Sequence, residues 1–170
     1  MTITRQRITP CLWFADEAEE AARFYTGVFK NSRITKITRY GSAGYEVHGR
    51  PAGSVMVVAF ELDGQTFTAL NGGPIFKFNE AVSLQVNCET QAEIDHYWEK
   101  LSAGGDPKAQ QCGWLKDRYG LSWQVVPNVM EDLFDDEGSP GAERVMEAML
   151  RMKKIDIAEI ERAYDGRAAV

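Results

Sequence analysis

Histidine is nearly absent from this chain: His48 and His96 are the only two in 170 residues. No HxH or HxxxH spacing exists, so a metal site built on a local imidazole pair is excluded. Cysteine is almost as scarce. Cys11, Cys88 and Cys112 form an odd set without a CxxC spacing, which argues against a disulfide framework and fits reduced thiols in a cytoplasm. Long hydrophobic runs are missing as well. The run at 55–60 is strand-sized, far short of a membrane-crossing helix. Basic residues never run beyond Lys153-Lys154, and 19 basic against 25 acidic side chains leave a net charge of -6. That balance speaks against nonspecific binding to nucleic acid or to an acidic membrane surface. The opening Met1-Thr2-Ile3-Thr4-Arg5-Gln6-Arg7 is polar and leads into an expected strand, so no secretory signal is expected.

What is present is enough apolar material for a sizeable core, 44% of residues, and a sequence order that occurs twice. An expected strand at 8–14 leads into a helix at 17–30 carrying Phe24-Tyr25. Thr9 aligns with Ser83, an offset of 74, where a second strand at 81–88 leads into a helix at 91–103 carrying Tyr97-Trp98. Asp16 is the expected cap of the first helix. Each unit closes with a glycine and a strand: Gly64 before 65–70, and Gly120 before 121–126. Asp63-Gly64 is a strong two-residue hairpin signal between strands at 54–62 and 65–70. The glycine-rich stretch 41–53 reads as a loop, mobile or placed over a site. Two related halves of one fold leave a cleft in which a ligand can sit. After Pro127 the pattern turns helical, with a short helical turn expected at 129–134, a polar loop at 135–141, and helices at 142–152 and 156–164. Val145, Met149 and Met152 share one stripe, with Met146 and Leu150 beside it; core packing is the expectation for these methionines. Phe76 and Phe78, around Lys77 in the linker 75–80, are expected to anchor it to the core. Lys116-Asp117-Arg118 reads as a solvated hairpin tip.

Strand, helix and three strands, repeated, resembles the βαβββ module of the vicinal oxygen chelate superfamily, the glyoxalase and bleomycin-resistance proteins. The resemblance is closer to its PhnB-like group. It is carried by Ile8-Thr9-Pro10-Cys11-Leu12-Trp13-Phe14 with Glu19-Glu20-Ala21-Ala22-Arg23-Phe24-Tyr25, by Leu70-Asn71-Gly72-Gly73-Pro74, and by Cys112-Gly113-Trp114-Leu115-Lys116-Asp117. Tyr119-Gly120-Leu121-Ser122-Trp123-Gln124 and Val145-Met146-Glu147-Ala148-Met149-Leu150 extend it. The resemblance implies an α+β fold. Two βαβββ modules, about 7–73 and 80–127, would form a cupped mixed sheet over residues 1–127, with 128–170 a C-terminal helical extension. It implies a homodimer. Members of the group often carry the label 3-demethylubiquinone-9 3-methyltransferase. Function is expected to be small-molecule binding. The alternatives are a metal-dependent lyase, dioxygenase or transferase, and a noncatalytic sequestering protein of the antibiotic-resistance type.

In metal-dependent relatives the ligands lie on the first and last strands of each module. The resemblance carries those positions to Thr9, Thr68, Ser83 and Gln124. Three hydroxyls and an amide bring no negative charge to a divalent ion, so no metal and no other cofactor is expected. An S-adenosylmethionine site usually needs a glycine-rich turn between strand and helix. The glycines at 41, 44 and 49 precede Pro51, and Gly72-Gly73 precede Pro74, so the methyltransferase label has no matching motif.

Strand alternation groups the remaining candidates. Thr9, Cys11 and Trp13 share one face; so do Ser83, Gln85 and Asn87; so do Ser122 and Gln124. With the family's geometry these would line the concave side. The expected ligand-binding set is Thr9, Cys11, Trp13, Thr68, Ser83, Gln85, Trp114 and Gln124. Trp13 with Phe67 or Trp114 would form an apolar wall, a mixture suited to an aromatic or amphipathic ligand. Cys112, beside Gly113 and near Lys116, is the one nucleophile candidate, with an ordinary thiol the simpler expectation.

Overall fold

The computed structural model describes residues 6–135 and 138–167. Asp136 and Glu137 of the expected polar loop, Met1 to Arg5, and the last three residues of the extension lie outside the described residues. The chain divides into two compact units, Met1–Lys77 and Phe78–Val170.

The first unit runs β1 (Cys11–Phe14), α1 (Ala18–Val28), β2 (Arg33–Arg39), α2 (Tyr45–His48), β3 (Val55–Leu62) and β4 (Gln65–Asn71). Its sheet has the order β1-β4-β3-β2, with β1 parallel to β4 and the other pairs antiparallel. Period-two alternation gives the sheet one covered face. Leu12 and Phe14 of β1, Val58, Phe60 and Leu62 of β3, and Phe67 and Ala69 of β4 are buried with Ala18, Ala21, Ala22, Tyr25 and Val28 of α1. Tyr25 and Phe67 both stack on Phe60, at ring-centroid distances of 6.4 and 5.5 Å.

The second unit runs β5 (Ser83–Cys88), α3 (Gln91–Ser102), a short 3-10 turn (Pro107–Ala109), β6 (Trp114–Lys116), β7 (Ser122–Pro127), α4 (Val129–Phe134), α5 (Pro140–Leu150) and α6 (Ile157–Tyr164). Its sheet has the order β5-β7-β6, again with the outer pair β5 and β7 parallel. The fold is therefore α+β with two mixed sheets, but the second module is one strand short of the expected pattern. Residues 103–113, which would hold the counterpart of β2, carry Gly104, Gly105, Pro107 and Gly113. Glycine and proline are poor strand formers, and the 3-10 turn takes the strand's place.

The two sheets share one register. Cys11 pairs with Thr68 in the first and Gln85 with Gln124 in the second, and the same offsets, 74 and 56, relate both partners. The backbone bond from Gly72 N–H to Phe14 O (3.0 Å) recurs from Asn128 N–H to Cys88 O (2.8 Å) at those offsets.

The C-terminal helices are stitched into the second unit. Met130, Val145, Ala148, Met152, Ile155 and Ile160 form an apolar cluster, and Val126 of β7 packs against it. Gln91 at the start of α3 donates to Ile155 O (3.1 Å) and accepts from Ile157 N–H (2.9 Å). Cys112 N–H reaches Met152 O (2.9 Å) and Gly113 N–H reaches Lys153 O (2.8 Å). Helix α5 starts at Pro140, earlier than expected, because Ser139 caps it and proline suits the first turn. Met149 and Met152 pack inward as expected, whereas Met146 stands exposed.

Candidate functional site

In each unit one sheet face packs on a helix, α1 or α3; the other face is open in the first unit, and in the second it is covered at Val126 by the C-terminal apolar cluster. In the first unit the open face carries Cys11 and Trp13 of β1 and Thr68 of β4, and Cys11 and Thr68 are direct register partners. Thr9 lies ahead of β1 rather than in it; the strand begins at Cys11, after Pro10, whose carbonyl accepts from Thr68 N–H (3.0 Å). Phe67 belongs to the opposite face, 6% exposed and stacked on Phe60. It cannot form a wall with Trp13, because position 67 alternates with Thr68.

Trp13 is fixed by the Asn71-Gly72-Gly73 corner. Its indole Nε1–H donates to Gly73 O at 2.9 Å, and its ring lies so close over Gly72 that a Cβ there would fall 2.1 Å from it. Phe76 meets the indole edge-on at 4.9 Å, yet remains 62% exposed, so its anchoring is partial. Asn71 is buried and fully engaged. Its Oδ1 accepts from Ala18 N–H (2.8 Å), capping α1, and its Nδ2–H donates to Val55 O (3.2 Å). Tyr40 donates its hydroxyl proton to Asn71 O (2.7 Å). Asp16, the expected cap, pairs instead with Arg50. Arg50 also donates to Ala15 O, and the His48 ring packs 4.6 Å from that of Tyr40. The loop at 41–53 thus contains the helical turn α2 and is held by its own contacts.

In the second unit, register brings four expected residues together. Gln85 pairs with Gln124, and Gln124 with Trp114, in one row across the three strands. Ser83 and Ser122 form the neighbouring row with Lys116. Gln124 Nε2–H donates to Ser83 Oγ at 2.9 Å, and Gln85 Nε2–H to Asn87 Oδ1 at 2.8 Å. The face is a polar lattice with one indole in it. Beside it, Gln111, Cys112, Trp114, Lys116, Ser122 and Glu80 border an open cleft of about 330 Å³.

Glu80, Gln111 and Lys116 stand at the cleft outside the expected set. The alternation Trp114–Leu115–Lys116 was a usable signal for Lys116: it puts the lysine on the face of Trp114 and leaves Leu115, 1% exposed, in the core. Asp117 was misread. It is 2% exposed, and its carboxylate accepts from Tyr119 N–H (2.8 Å), Leu121 N–H (3.1 Å) and Trp123 Nε1–H (2.8 Å). The hairpin tip is built around a buried, saturated carboxylate rather than solvated.

Cys112 borders the cleft with left-handed backbone, φ 51°. Its thiol has no hydrogen-bond partner among the described residues, so no base is placed to activate it. Among those residues no three His, Cys, Asp or Glu side chains gather as a metal would require. The donor chemistry points the same way. Ser83 and Gln124 are neutral and already bonded to each other, Thr68 is a hydroxyl, and none offsets the cost of dehydrating a divalent ion. The residues do not fit a metal. Nor do the strand-to-helix turns fit S-adenosylmethionine: Ala15-Asp16-Glu17 and Glu89-Thr90 contain no glycine. No helix among the described residues is long and apolar enough to cross a membrane.

A family model described as 3-demethylubiquinone-9 3-methyltransferase matches residues 6–126. A solved structure of the PhnB protein from Bacillus cereus is 39% identical, covers 72% of this chain and 99% of its own, and superposes with a TM-score of 0.61. Protein PA1353 from Pseudomonas aeruginosa is 20% identical over 72% of this chain and 98% of its own, with a TM-score of 0.55. The fosfomycin resistance protein FosX from Listeria monocytogenes is 14% identical over 76% of this chain and 98% of its own, with a TM-score of 0.48. The comparison with curated protein sequences returned no match.

Proposed function

The chain belongs to the family described as 3-demethylubiquinone-9 3-methyltransferase, the PhnB-like group of the vicinal oxygen chelate superfamily, and on that premise we propose that it binds a small aromatic or amphipathic molecule without a resident metal. The observation that carries this reading is the row Gln85–Gln124–Trp114 on the open face of the second sheet, flanked by Ser83 and Ser122. The row offers fixed amide and hydroxyl groups beside an indole. That combination orients a flat ligand by hydrogen bonds while burying its ring. Cys11, Trp13 and Thr68 offer a second such face in the first unit. We assign both faces to ligand binding, with Thr9 at the margin of the first.

The same reading makes the protein a cytoplasmic homodimer. Three free cysteines support a reducing compartment. Ile8, Val47 and Ile75 of the first unit and Leu150 of the second are exposed apolar side chains that a second copy could cover, and light scattering of the purified protein tests the dimer.

The deciding experiment takes protein purified without a nickel column. Metal analysis is expected to find substoichiometric zinc, iron and manganese, and aromatic and quinone-like compounds are expected to raise the melting temperature in a way that Gln124→Ala removes. Stoichiometric metal, or micromolar calorimetric binding of S-adenosylmethionine, sinks the proposal. Turnover of a bound compound makes the protein an enzyme. Saturable binding without product makes it a sequestering protein.

A further inference from the structure

The missing fourth strand of the second sheet leaves β6 as its edge, and the cleft lies there. In the first sheet the equivalent place is closed. Glu61 of β3 pairs with Thr66 of β4, and the edge strand β2 supplies Arg33, whose guanidinium meets Glu61 at 3.0 Å. The same register position in the second sheet pairs Lys116 of β6 with Ser122 of β7. The charge is inverted, and among the described residues no strand lies outside it. The only ion-pair partner of Lys116 among the described residues is Glu80, from the linker ahead of β5.

The two members of this pair are unequally held. The Lys116 side chain is 25% exposed, whereas that of Glu80 is 66% exposed on an irregular segment. An exposed carboxylate on a loop binds its partner weakly and is readily replaced. Next to Lys116, Ser122 is 1% exposed and its Oγ has no hydrogen-bond partner among the described residues. A buried hydroxyl left unpaired is a standing cost that an occupant's acceptor would remove. Trp114 gives the cleft an aromatic side, Gln111 a further polar group, and about 330 Å³ is room for a compact ring compound.

We propose that this cleft is a carboxylate subsite, in which a small aromatic acid displaces Glu80 from Lys116 and accepts a hydrogen bond from Ser122 Oγ. Glu80 then acts as an intramolecular stand-in for the ligand's carboxylate. The geometry favours an anion over a cation: the strand residue paired in register with Ser122 is the lysine, and the carboxylate, on the exposed linker, is the member free to leave. The inference rests on the reading of the open sheet face as a binding surface, and adds the ligand's charge and its anchoring residues.

The test uses the full chain and three probes of one shape, 2-naphthoate, 2-naphthamide and 2-naphthylmethylamine, followed by calorimetry and by amide chemical shifts. Saturable binding of 2-naphthoate is expected, with shifts centred on Lys116 and Ser122 and with 2-naphthamide about tenfold weaker, the scale of one lost charge-assisted contact. Lys116→Met should weaken 2-naphthoate by a similar factor. Glu80→Gln should strengthen it severalfold by removing the competitor, and this exposed substitution carries the test even if Lys116→Met disturbs β6. Tighter binding of 2-naphthylmethylamine that Glu80→Gln abolishes overturns the proposal. Equal binding of acid and amide, unchanged in Lys116→Met but lost in Gln124→Ala, overturns the carboxylate subsite and leaves the sheet-face reading standing. No saturable binding of any probe overturns both.

Discussion

The two sheets solve one design problem differently. Both pair a first strand in parallel with a last one, in the same register and with the same backbone bond at the corner. They part at the edge. In the first unit β2 covers β3, and Arg33 answers Glu61. In the second, Gly105 backs directly onto β6, so closely that a Cβ would sit 1.9 Å from Lys116 O. Helix starts diverge in the same way. Helix α1 borrows its cap from Asn71, 53 positions along the chain. Helix α3 makes its own: Thr90 Oγ1 accepts from Glu93 N–H (3.3 Å), and the Glu93 carboxylate accepts from Glu89 N–H (2.8 Å). The lesson is that strand pairing at the centre holds the halves alike, while edges and ends are free to differ, and the candidate cleft arises where they differ.

The sharpest break of the comparison uses cysteine. Cys11 lies on the open face of β1, whereas Cys88 lies on the helix-covered face of β5, 0% exposed. Burial pushes the Cys88 thiol up to about 12, with Glu93 adding to the effect. At pH 8 it therefore carries about a thousandfold less thiolate than a thiol at the ordinary 9.0. Iodoacetamide followed by mass spectrometry should modify Cys11 readily, Cys112 more slowly, and Cys88 only after unfolding. Early labelling of Cys88 would mean that the two faces are assigned the wrong way round. Fast labelling of Cys112 alone would restore it as a nucleophile.

Next in size are the two glycine contacts. Gly105→Ala sets a methyl against main chain that cannot step aside, and should destabilise the second unit by about 3 kcal/mol or more. Gly72→Ala meets the ring of Trp13, a side chain that can swing away while losing its bond to Gly73 O, for about 2 kcal/mol. Urea melts followed by tryptophan fluorescence compare them. A harmless Gly105→Ala would remove the close approach that defines the β6 edge.

These contacts also mark what could be read in the sequence. The repeat, the hairpin at Asp63-Gly64 and the open-face parity of Ser83, Gln85, Trp114 and Gln124 were legible, because period two and turn chemistry are local. The missing strand was half legible: Gly104, Gly105 and Pro107 forbid it, but a family pattern argued for it. What remained hidden depends on long-range partners. Nothing near Asn71 says that it caps α1. Nothing near Asp117 says that Trp123 and two backbone amides will bury its charge. Nothing near Glu80 says that it will meet Lys116. Phe67 was misplaced for a simpler reason, since its own alternation with Thr68 already put it on the covered face.

The borrowed cap and the local cap give the third contrast. Asn71→Ala leaves Ala18 N–H and Val55 C=O without their partners in a buried corner, at about 2–3 kcal/mol. Thr90→Ala removes one exposed cap and should cost about 1 kcal/mol. If Thr90→Ala proves the costlier in urea midpoints, the claim that the first unit depends on its Asn71 corner fails.

The smallest effect belongs to the edge itself. Lys116 donates to the Glu80 carboxylate, and this, with a further contribution from Glu80's own backbone, holds the group below its ordinary 4.5. A carboxyl whose value is lower in the folded chain stabilises it above the unfolded value, and that contribution fades as pH falls through the folded one. Lys116→Met should therefore return Glu80 toward 4.5 in a carbon-detected NMR titration, with almost no change in global stability, because the glutamate is exposed. The corresponding change in the first unit, Arg33→Met, should leave Glu80 where it is, since Arg33 pairs with Glu61. A Glu80 that titrates at 4.5 in the parent chain would show that Lys116 is not held by the linker. The β6 edge would then have no internal carboxylate for a ligand to displace.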